Sequence, residues 1–395
     1  MTGPARSQRV IVVGAGPAGL TAALVLAQAG VPVTVLERDS GLNQRTRACT
    51  FHPATLDLLD ELGLASPLVS SGHVVNWMQW RDRPGTVLAE MHMSRLAGLT
   101  KHPFRLHADQ SLLTPLLLTA LSAYPQADVR FAASVTEITD DGSAVRVRAG
   151  HIWEEATYVI AADGSHSTVR TLLGLPFPRS VYPTQALRVL TTSPLQEWVP
   201  GLAPLTYVRD VQQSCSLLQL PDHWRMVFRV PLEVTPSRSM VTALTRGALP
   251  LRQQRLRVVD AHTYRLVRGV VPAFRRGRIL FVGDAAHLTS TAGGLNMNAG
   301  IHDAIEAGRV LAAVLGGAAS TAALEGWAAR RRKILLDKII PRSEARVAGV
   351  QQGDTGTLDA AVTRVRAIAA DPVAARDWLA EASLLDTIPS PLLTR

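Results

Sequence analysis

The run Val10-Ile11-Val12-Val13-Gly14-Ala15-Gly16-Pro17-Ala18-Gly19 decides the fold. Four β-branched residues in a row read as a short buried strand. Glycines at 14, 16 and 19 follow in the spacing GxGxxG. In that pattern the first glycine allows a tight turn, the second lets backbone approach a pyrophosphate, and the third packs a helix on the sheet. Residues 20–29 are helical in composition and stop at Gly30, a residue suited to a helix C-terminus. Residues 31–36 make a second strand, closed by Glu37, where a carboxylate can accept both hydroxyls of a ribose. The whole is a βαβ unit with a parallel sheet, built for a dinucleotide. A glycine-rich turn without a ligand is the plainer alternative.

Residues 10–36 carry no charge before Glu37 and follow Arg6 and Arg9, which imitates a leader peptide or a membrane span. The glycines and Pro17 and Pro32 fall where a strand turns and where a helix ends. Neither a membrane span nor a cleaved leader is therefore expected. The 395 residues suit two or three domains, and 47% hydrophobic content is enough for a large core. Two cysteines, Cys49 and Cys215, make neither a disulfide framework nor a structural zinc site, so a cytoplasmic protein without metal is expected. The net charge is +9, and only Lys101, Lys333 and Lys338 among the 41 basic residues are lysines. Those arginines are spread along the chain and aromatics are only 5%, which argues against nucleic acid and for anionic small molecules.

Outward from the first unit, residues 52–64 read as an amphipathic helix and 72–93 as strands with Trp77 and Trp80. Residues 110–121 are helical. Strands at 129–147 are joined by the hairpin turn Asp141-Gly142. A buried strand at 158–161 leads into Asp163-Gly164. Residues 175–267 carry recurrent prolines and short β-rich runs, the texture of an antiparallel sheet inserted into the α/β domain. The strand 279–282 then returns to the first sheet, followed by a glycine-rich loop, a helix from about Met297 to Leu315, and helical stretches at 322–351 and 357–382.

Two further motifs choose between NAD and FAD. Ala162-Asp163-Gly164-Ser165-His166-Ser167-Thr168-Val169-Arg170 follows one buried strand. Gly283-Asp284-Ala285-Ala286-His287 follows another and runs on through Gly293-Gly294-Leu295-Asn296-Met297-Asn298 to Asp303-Ala304. With the first motif, these resemble the three ordered signatures of the group A, single-component FAD-dependent aromatic monooxygenases, which share the para-hydroxybenzoate hydroxylase fold. The resemblance spans nearly the whole chain.

It implies a doubly wound, Rossmann-like α/β FAD-binding domain with an inserted antiparallel β-sheet substrate domain and a helical C-terminus. FAD-binding pieces are expected at 1–73, 102–175 and 269–320. Substrate-domain strands are expected at 74–101, a β-sheet substrate domain at 176–268, and the helical region at 321–395. FAD contacts are implied at Gly14, Gly16, Ala18, Gly19, Glu37, Arg38, Arg47, Gln110, Asp163, Asp284 and the loop Gly294, Leu295, Asn296, Met297 and Asn298. Asp284 corresponds to the carboxylate that bonds a ribityl hydroxyl, with a turn or cap aspartate as the alternative. A helix starting near Met297 aims its positive end at the flavin pyrimidine, which favours the reduced, anionic ring. Arg45 and His166 match positions that meet the pyrophosphate of NAD(P)H, and Arg268 lies one residue off the place where the family has another arginine; NADPH is expected in preference to NADH. A solvated arginine at 38 and a turn histidine at 166 are the alternatives.

The implied reaction is insertion of one atom of O2 into an aromatic, phenolic or polyketide-like small molecule through a flavin C4a-hydroperoxide. Baeyer–Villiger insertion, epoxidation, oxidation without oxygen transfer, and ligand binding without turnover remain alternatives on the same fold. The flavin carries the chemistry, so catalytic candidates are few: Thr291 beside the reacting carbon, and Arg225, next to Trp224, toward an anionic substrate. The chain departs from the family where Ser290-Thr291 replaces the usual prolines, leaving a freer loop, and where Asn296 replaces glycine. Asn tolerates positive φ, which would preserve the loop. His287, like His52, His107 and His302, reads as a packed histidine rather than a base, and Cys49 as a small buried apolar residue. A monomer or homodimer is expected.

Overall fold

A computed structural model describes residues 8–44, 48–251, 254–348 and 355–388. The strand Val10–Val13 lies at the centre of a six-stranded sheet, in parallel register with Val33–Leu36 on one side and Tyr158–Ala161 on the other. Ala127–Arg130 and Ile279–Phe281 extend the parallel set outward, and the short pair Arg275–Arg276 closes one edge antiparallel. Every residue of Val10–Val13 is buried, as an all-apolar central strand requires. The helix Pro17–Gln28 packs along Leu295–Leu315, so closely that a methyl on Gly308 would fall 2.8 Å from Val25. An antiparallel meander, Val135–Asp140, Val145–Ala149 and Ile152–Ala156, adds Val135, Ile138, Val145 and Val147 to the same core.

The hairpin turn forms as its sequence demands. Gly142 takes φ +82, and Asp141 Oδ1 accepts from the backbone N–H of Ser143 and Ala144. The strand 127–130, in contrast, pairs into the parallel sheet and not with the meander, because pairing partners are not written in local sequence.

A second, eight-stranded sheet stands against the first body. Its order is His287–Leu288, Val258–Val270, Arg179–Thr191, Trp224–Pro231, Cys215–Gln219, Leu205–Val208, Trp77–Arg81, Val87–His92. All pairings are antiparallel except Leu205–Val208 with Trp77–Arg81. Side chains alternate across it. Leu187, Val189, Met226, Phe228, Val230 and Leu217 form an apolar face, covered by the helix Arg238–Ala248 through Val241 and Ala248. The helix is capped by Ser237, whose Oγ accepts from Met240 N at 3.1 Å. The opposite face turns toward the parallel-sheet body, and the functional cleft opens there. Helices at Ala322–Ile334, Ile340–Ala348, Thr355–Ala370 and Pro372–Ala382 complete the fold. The expected 357–382 helix is broken at Asp371-Pro372, where Asp371 caps the next helix and proline takes its first position. Among the described residues no helix is long and apolar enough to cross a membrane.

Candidate active site

The glycine motif is built as its spacing requires. Gly14 has φ +106, and a methyl there would meet Ala162 O at 2.5 Å. A methyl on Gly19 would fall 1.9 Å from Gly14 O, so the helix packs on the turn. Gly16 differs: a methyl there meets nothing within 4 Å. Its open side faces a cleft of about 1990 Å³, and the first amides of the helix Pro17–Gln28 stand at the same end. Ordinary ligand pockets hold about 300–1,000 Å³, so this cleft has room for a dinucleotide and a second molecule together. Gly14, Gly16 and Ala18 line it, while Gly19 serves packing.

Glu37 sits at the end of the second strand and lines the cleft. Its Oε2 accepts from Ala15 N at 2.7 Å and its Oε1 from Asp39 N at 2.9 Å, so the turn and the carboxylate hold each other. Each oxygen retains acceptor capacity for a ribose hydroxyl. Arg38 is exposed at the mouth, 3.8 Å from Asp39. Asp163 accepts from Val169 N at 3.0 Å through Oδ2, while its Oδ1 is sealed from solvent without a partner. Burial raises the Asp163 carboxyl above its ordinary range. A buried acceptor that lacks a donor is the signature expected where a hydroxyl-bearing ligand belongs.

At the far end, Gly283 takes φ +58 and lies against Ala18 and Gly300, closing the parallel sheet onto the long helix. Asp284 follows, lines the cleft, and accepts from Asn296 Nδ2 at 2.7 Å. The helix starts at Leu295, two residues before the position expected from sequence, with Gly294 as its N-cap. The left-handed backbone falls on Gly293 (φ +84) and Gly294 (φ +65), so Asn296 preserves no loop shape. Its side chain instead bridges Asp284 and His287. Leu295, Asn296 and Met297 line the cleft with the first-turn amides that a flavin pyrimidine requires. Asn298 turns inward, bonding Thr50 O, Gly294 O and His52 N. Gln110 lines the cleft at the start of its helix. Glu37, Gly16, Asp163, Asp284 and the loop at 293–297 all line one cleft, and their chemistry fits FAD. Arg45 and Arg47 lie outside the described residues. His166 is exposed at the cleft mouth, whereas Arg268 does not line the cleft and faces Glu344 at 3.9 Å.

His52, His107, His287 and His302 are packed. His287 Nε2 meets Asp303 Oδ2 at 2.7 Å, and Arg331 Nε donates to Asp303 Oδ1 at 2.8 Å. Burial pushes against ionised Asp303, yet Arg331 and His287 hold its carboxyl down to about 2. Burial lowers His107 and His302 to about 3 and depresses His52 as well, so these three are neutral. Cys49 lines the cleft, but burial raises its thiol against the pull of Arg225, which keeps it protonated. Among the described residues no cluster of His, Cys, Asp and Glu could hold a metal.

The second half of the cleft is the inner face of the eight-stranded sheet. Period-two alternation brings Arg188, Arg225, Val227, Arg229, Tyr207 and Trp80 onto it. Trp224 takes the opposite face and is buried with the apolar cluster, so of that pair only Arg225 reaches the cleft. Arg225 Nη2 donates to Asp109 at 3.0 Å, and Arg188 pairs with Asp260. Thr291 is exposed on the loop, its Oγ1 3.5 Å from Tyr264 OH. Ser290 is buried and fastened: its Oγ lies 2.6 Å from Ser343 Oγ and accepts from Ala292 N at 3.2 Å. The loop is therefore anchored where sequence suggests mobility. Sequence reasoning misses Arg105, Tyr207, Arg209, Arg229 and Arg346. The alternation in Arg225-Met226-Val227-Phe228-Arg229-Val230 is a signal that reveals Arg229, whereas Arg105 and Arg346 arrive from distant segments.

Comparison with known proteins agrees with this geometry. The family profile described as FAD binding domain matches residues 7–338. The chain is 30% identical over 362 residues to the para-nitrophenol 4-monooxygenase of Pseudomonas sp. (strain WBC-3), covering 87% of this chain and 88% of that protein. It is 31% identical over 347 residues to the 6-hydroxy-3-succinoylpyridine 3-monooxygenase HspB of Pseudomonas putida (strain DSM 28022 / S16), covering 85% and 87%. The fold superposes on the crystal structure of p-nitrophenol 4-monooxygenase PnpA from Pseudomonas putida DLL-E4 with a TM-score of 0.90 at 28% identity, over 95% of this chain and 98% of that one.

Proposed function

The chain belongs to the family of single-component, FAD-dependent aromatic monooxygenases, and on that premise we propose that it oxygenates a phenolic substrate at the expense of NAD(P)H. The observation that carries this reading is one continuous cleft. It joins Gly16, Glu37 and Asp284 to a sheet face bearing Tyr207 and Arg225. When bound, FAD supplies hydride acceptance and oxygen activation. The chain's own part is to hold, orient and desolvate. Glu37 takes the ribose, the amides after Gly16 take the pyrophosphate, and Asp284 takes a ribityl hydroxyl while Asn296 fixes its orientation. The first turn of Leu295–Leu315 favours negative charge on the pyrimidine.

On the other wall, Arg188, Arg225 and Arg229 favour the ionised form of a phenol, which enriches its ring carbons in electrons. Trp80, Leu205, Leu218 and Val227 give the ring an apolar bed and exclude water. The reductant is NADPH, with its phosphates meeting the mouth where Arg38, His166 and Arg179 are exposed. Reconstitution with FAD followed by NADPH oxidation tests the reading. One FAD per chain and faster oxidation in the presence of phenol, 4-nitrophenol or 3-(4-hydroxyphenyl)propionate is the expected result. A protein that takes up no FAD, or whose oxidation rate no phenol changes, contradicts it.

A further inference from the structure

His287 opens the short strand His287–Leu288 with its ring fully buried and stacked on Phe274, at 5.9 Å and 15°. Both ring nitrogens have partners. Nε2 meets Asp303 Oδ2 at 2.7 Å, and Nδ1 meets Asn296 Oδ1 at 3.1 Å. Each of these partners accepts. Asp303 is an ionised carboxylate, and such a group only accepts. The amide of Asn296 can turn either end to the ring, but its nitrogen is taken: Nδ2 donates to Asp284 Oδ1 at 2.7 Å. Turning the amide over would set its oxygen against the Asp284 carboxylate, acceptor against acceptor. The oxygen is therefore the end that faces Nδ1, and 3.1 Å leaves no room for a water between them. A neutral imidazole has one N–H and one bare nitrogen, so it satisfies one of the two contacts. An imidazolium satisfies both.

Burial by itself opposes a charged ring. The surroundings offset it. Asp284, His287, Asp303, Arg331, Glu306 and Arg330 follow one another in space with alternating sign. Arg331 Nε donates to Asp303 Oδ1 at 2.8 Å and its Nη1 to Glu306 Oε1 at 3.1 Å, and Arg330 Nη2 donates to Glu306 Oε2 at 2.8 Å. Asp303 takes one donor on each oxygen. A cationic His287 completes the alternation, whereas a neutral one leaves two acceptors facing each other inside the protein.

We propose that His287 carries a proton on both ring nitrogens and is a positioning residue: through Asn296 it keeps the Asp284 carboxylate oriented as an acceptor toward a hydroxyl of the bound cofactor. The cofactor half rests on the FAD reading; the proton count rests on the hydrogen-bond geometry alone. Asn296 and Asp284 line the cleft and His287 does not, so His287 reaches the cofactor only through Asn296. A glycine at 296 has no side chain to carry that link.

The proton count is read in the apoprotein. With 15N-labelled histidine at neutral pH, the His287 ring gives two nitrogen resonances of the protonated type, each coupled to its own proton. They are assigned as the signals missing in His287→Gln and, independently, as those that move in Asn296→Gly. A bare Nδ1 overturns the proposal. The positioning role is read in FAD affinity, by fluorescence titration of both single variants and the double variant. His287→Gln and Asn296→Gly each weaken FAD about tenfold, and the double variant stays within about twofold of the weaker single one, because both cut the same link. Losses that multiply to about a hundredfold, or wild-type FAD affinity in either single variant, overturn the positioning role. If His287→Gln does not fold, Asn296→Gly decides alone, by the movement of the Nδ1 signal and the loss of FAD affinity. A wild-type protein that takes up no FAD is a separate result: it overturns the FAD reading, and the nitrogen spectrum still decides the proton count.

Discussion

Asn296 donates from Nδ2 to Asp284 Oδ1 at 2.7 Å, and its Oδ1 lies 3.1 Å from His287 Nδ1. The bridge continues through His287 to Asp303, from Asp303 to Arg331, and from Arg331 to Glu306 and Thr387 O. The cleft-lining carboxylate of Asp284 is thus linked through side chains to Arg331 on the helix Ala322–Ile334. The residue that replaces the family's usual glycine is the first link.

Asn296→Ala leaves Asp284 and His287 without that partner. Losing a hydrogen bond to a charged group costs roughly 1.5–3 kcal/mol, so FAD affinity falls about tenfold or more. Asn296→Asp sets a second carboxylate against Asp284 and loses more. Fluorescence titration of FAD measures both, and unchanged affinity in both variants means the bridge has no bearing on cofactor binding.

Gly16 and Gly19 separate ligand space from packing space. A methyl on Gly16 enters the open cleft, whereas one on Gly19 falls 1.9 Å from Gly14 O. Gly16→Ala should leave the apoprotein within about 0.5 kcal/mol of wild type and weaken FAD at least about tenfold. Gly19→Ala should destabilise the apoprotein itself by ~3 kcal/mol or more, through overpacking against backbone. Thermal melts with and without FAD distinguish them, and equal apoprotein melts for the two variants would refute the distinction.

His302 is fully buried, 2.8 Å from Thr55 Oγ1, and burial, reinforced by Arg331, lowers it to about 3. The unfolded chain takes up this proton near pH 6.5, and the folded protein refuses it until about 3. Stability is therefore complete above pH 6.5 and drains away as pH falls through that window. Between pH 7.5 and 5.0 the loss is about 2 kcal/mol for this group. Urea unfolding of wild type and His302→Gln at the two pH values should show a smaller pH-dependent loss in the variant by that amount. An identical pH dependence would place the acid sensitivity elsewhere.

The first unit was legible because its meaning is local. A strand, three glycines and Glu37 specify turn, packing and a carboxylate on the cleft within 30 residues, and Asp163 and Asp284 each follow a buried strand in the same way. The inserted sheet was legible as texture, but not as pairing. Its helix Arg238–Ala248 carries a Ser237 cap and apolar spacing at Val241 and Ala248, signals hidden by the prolines before it. Asn296 defied sequence reasoning because a tolerance for positive φ is a backbone argument, and its role lies in its side chain. Arg105, Arg209 and Arg346 are far apart in the chain and line one cleft only through the packing of sheet, strand and C-terminal helix.

Ser290 rather than Thr291 carries the stiffness of the loop. Its Oγ meets Ser343 at 2.6 Å and accepts from Ala292 N. Ser290→Ala frees the loop at the cleft and should raise the share of consumed NADPH that ends as hydrogen peroxide, with FAD affinity within about twofold of wild type. Thr291→Pro stiffens a loop already fastened and should change that share little. Product and peroxide measured side by side decide the ranking, and a larger effect at Thr291 would reverse it.

Incorporation of labelled oxygen tests the central claim most directly: that one cleft brings FAD, O2 chemistry and a phenol together. The holoenzyme is supplied with NADPH, 18O2 and the phenols that speed NADPH oxidation, and the recovered phenol is analysed by mass spectrometry. The predicted result is a product carrying one 18O atom, absent when FAD is withheld. Stimulated NADPH oxidation that leaves every recovered phenol unlabelled, with all the label in peroxide, would contradict it.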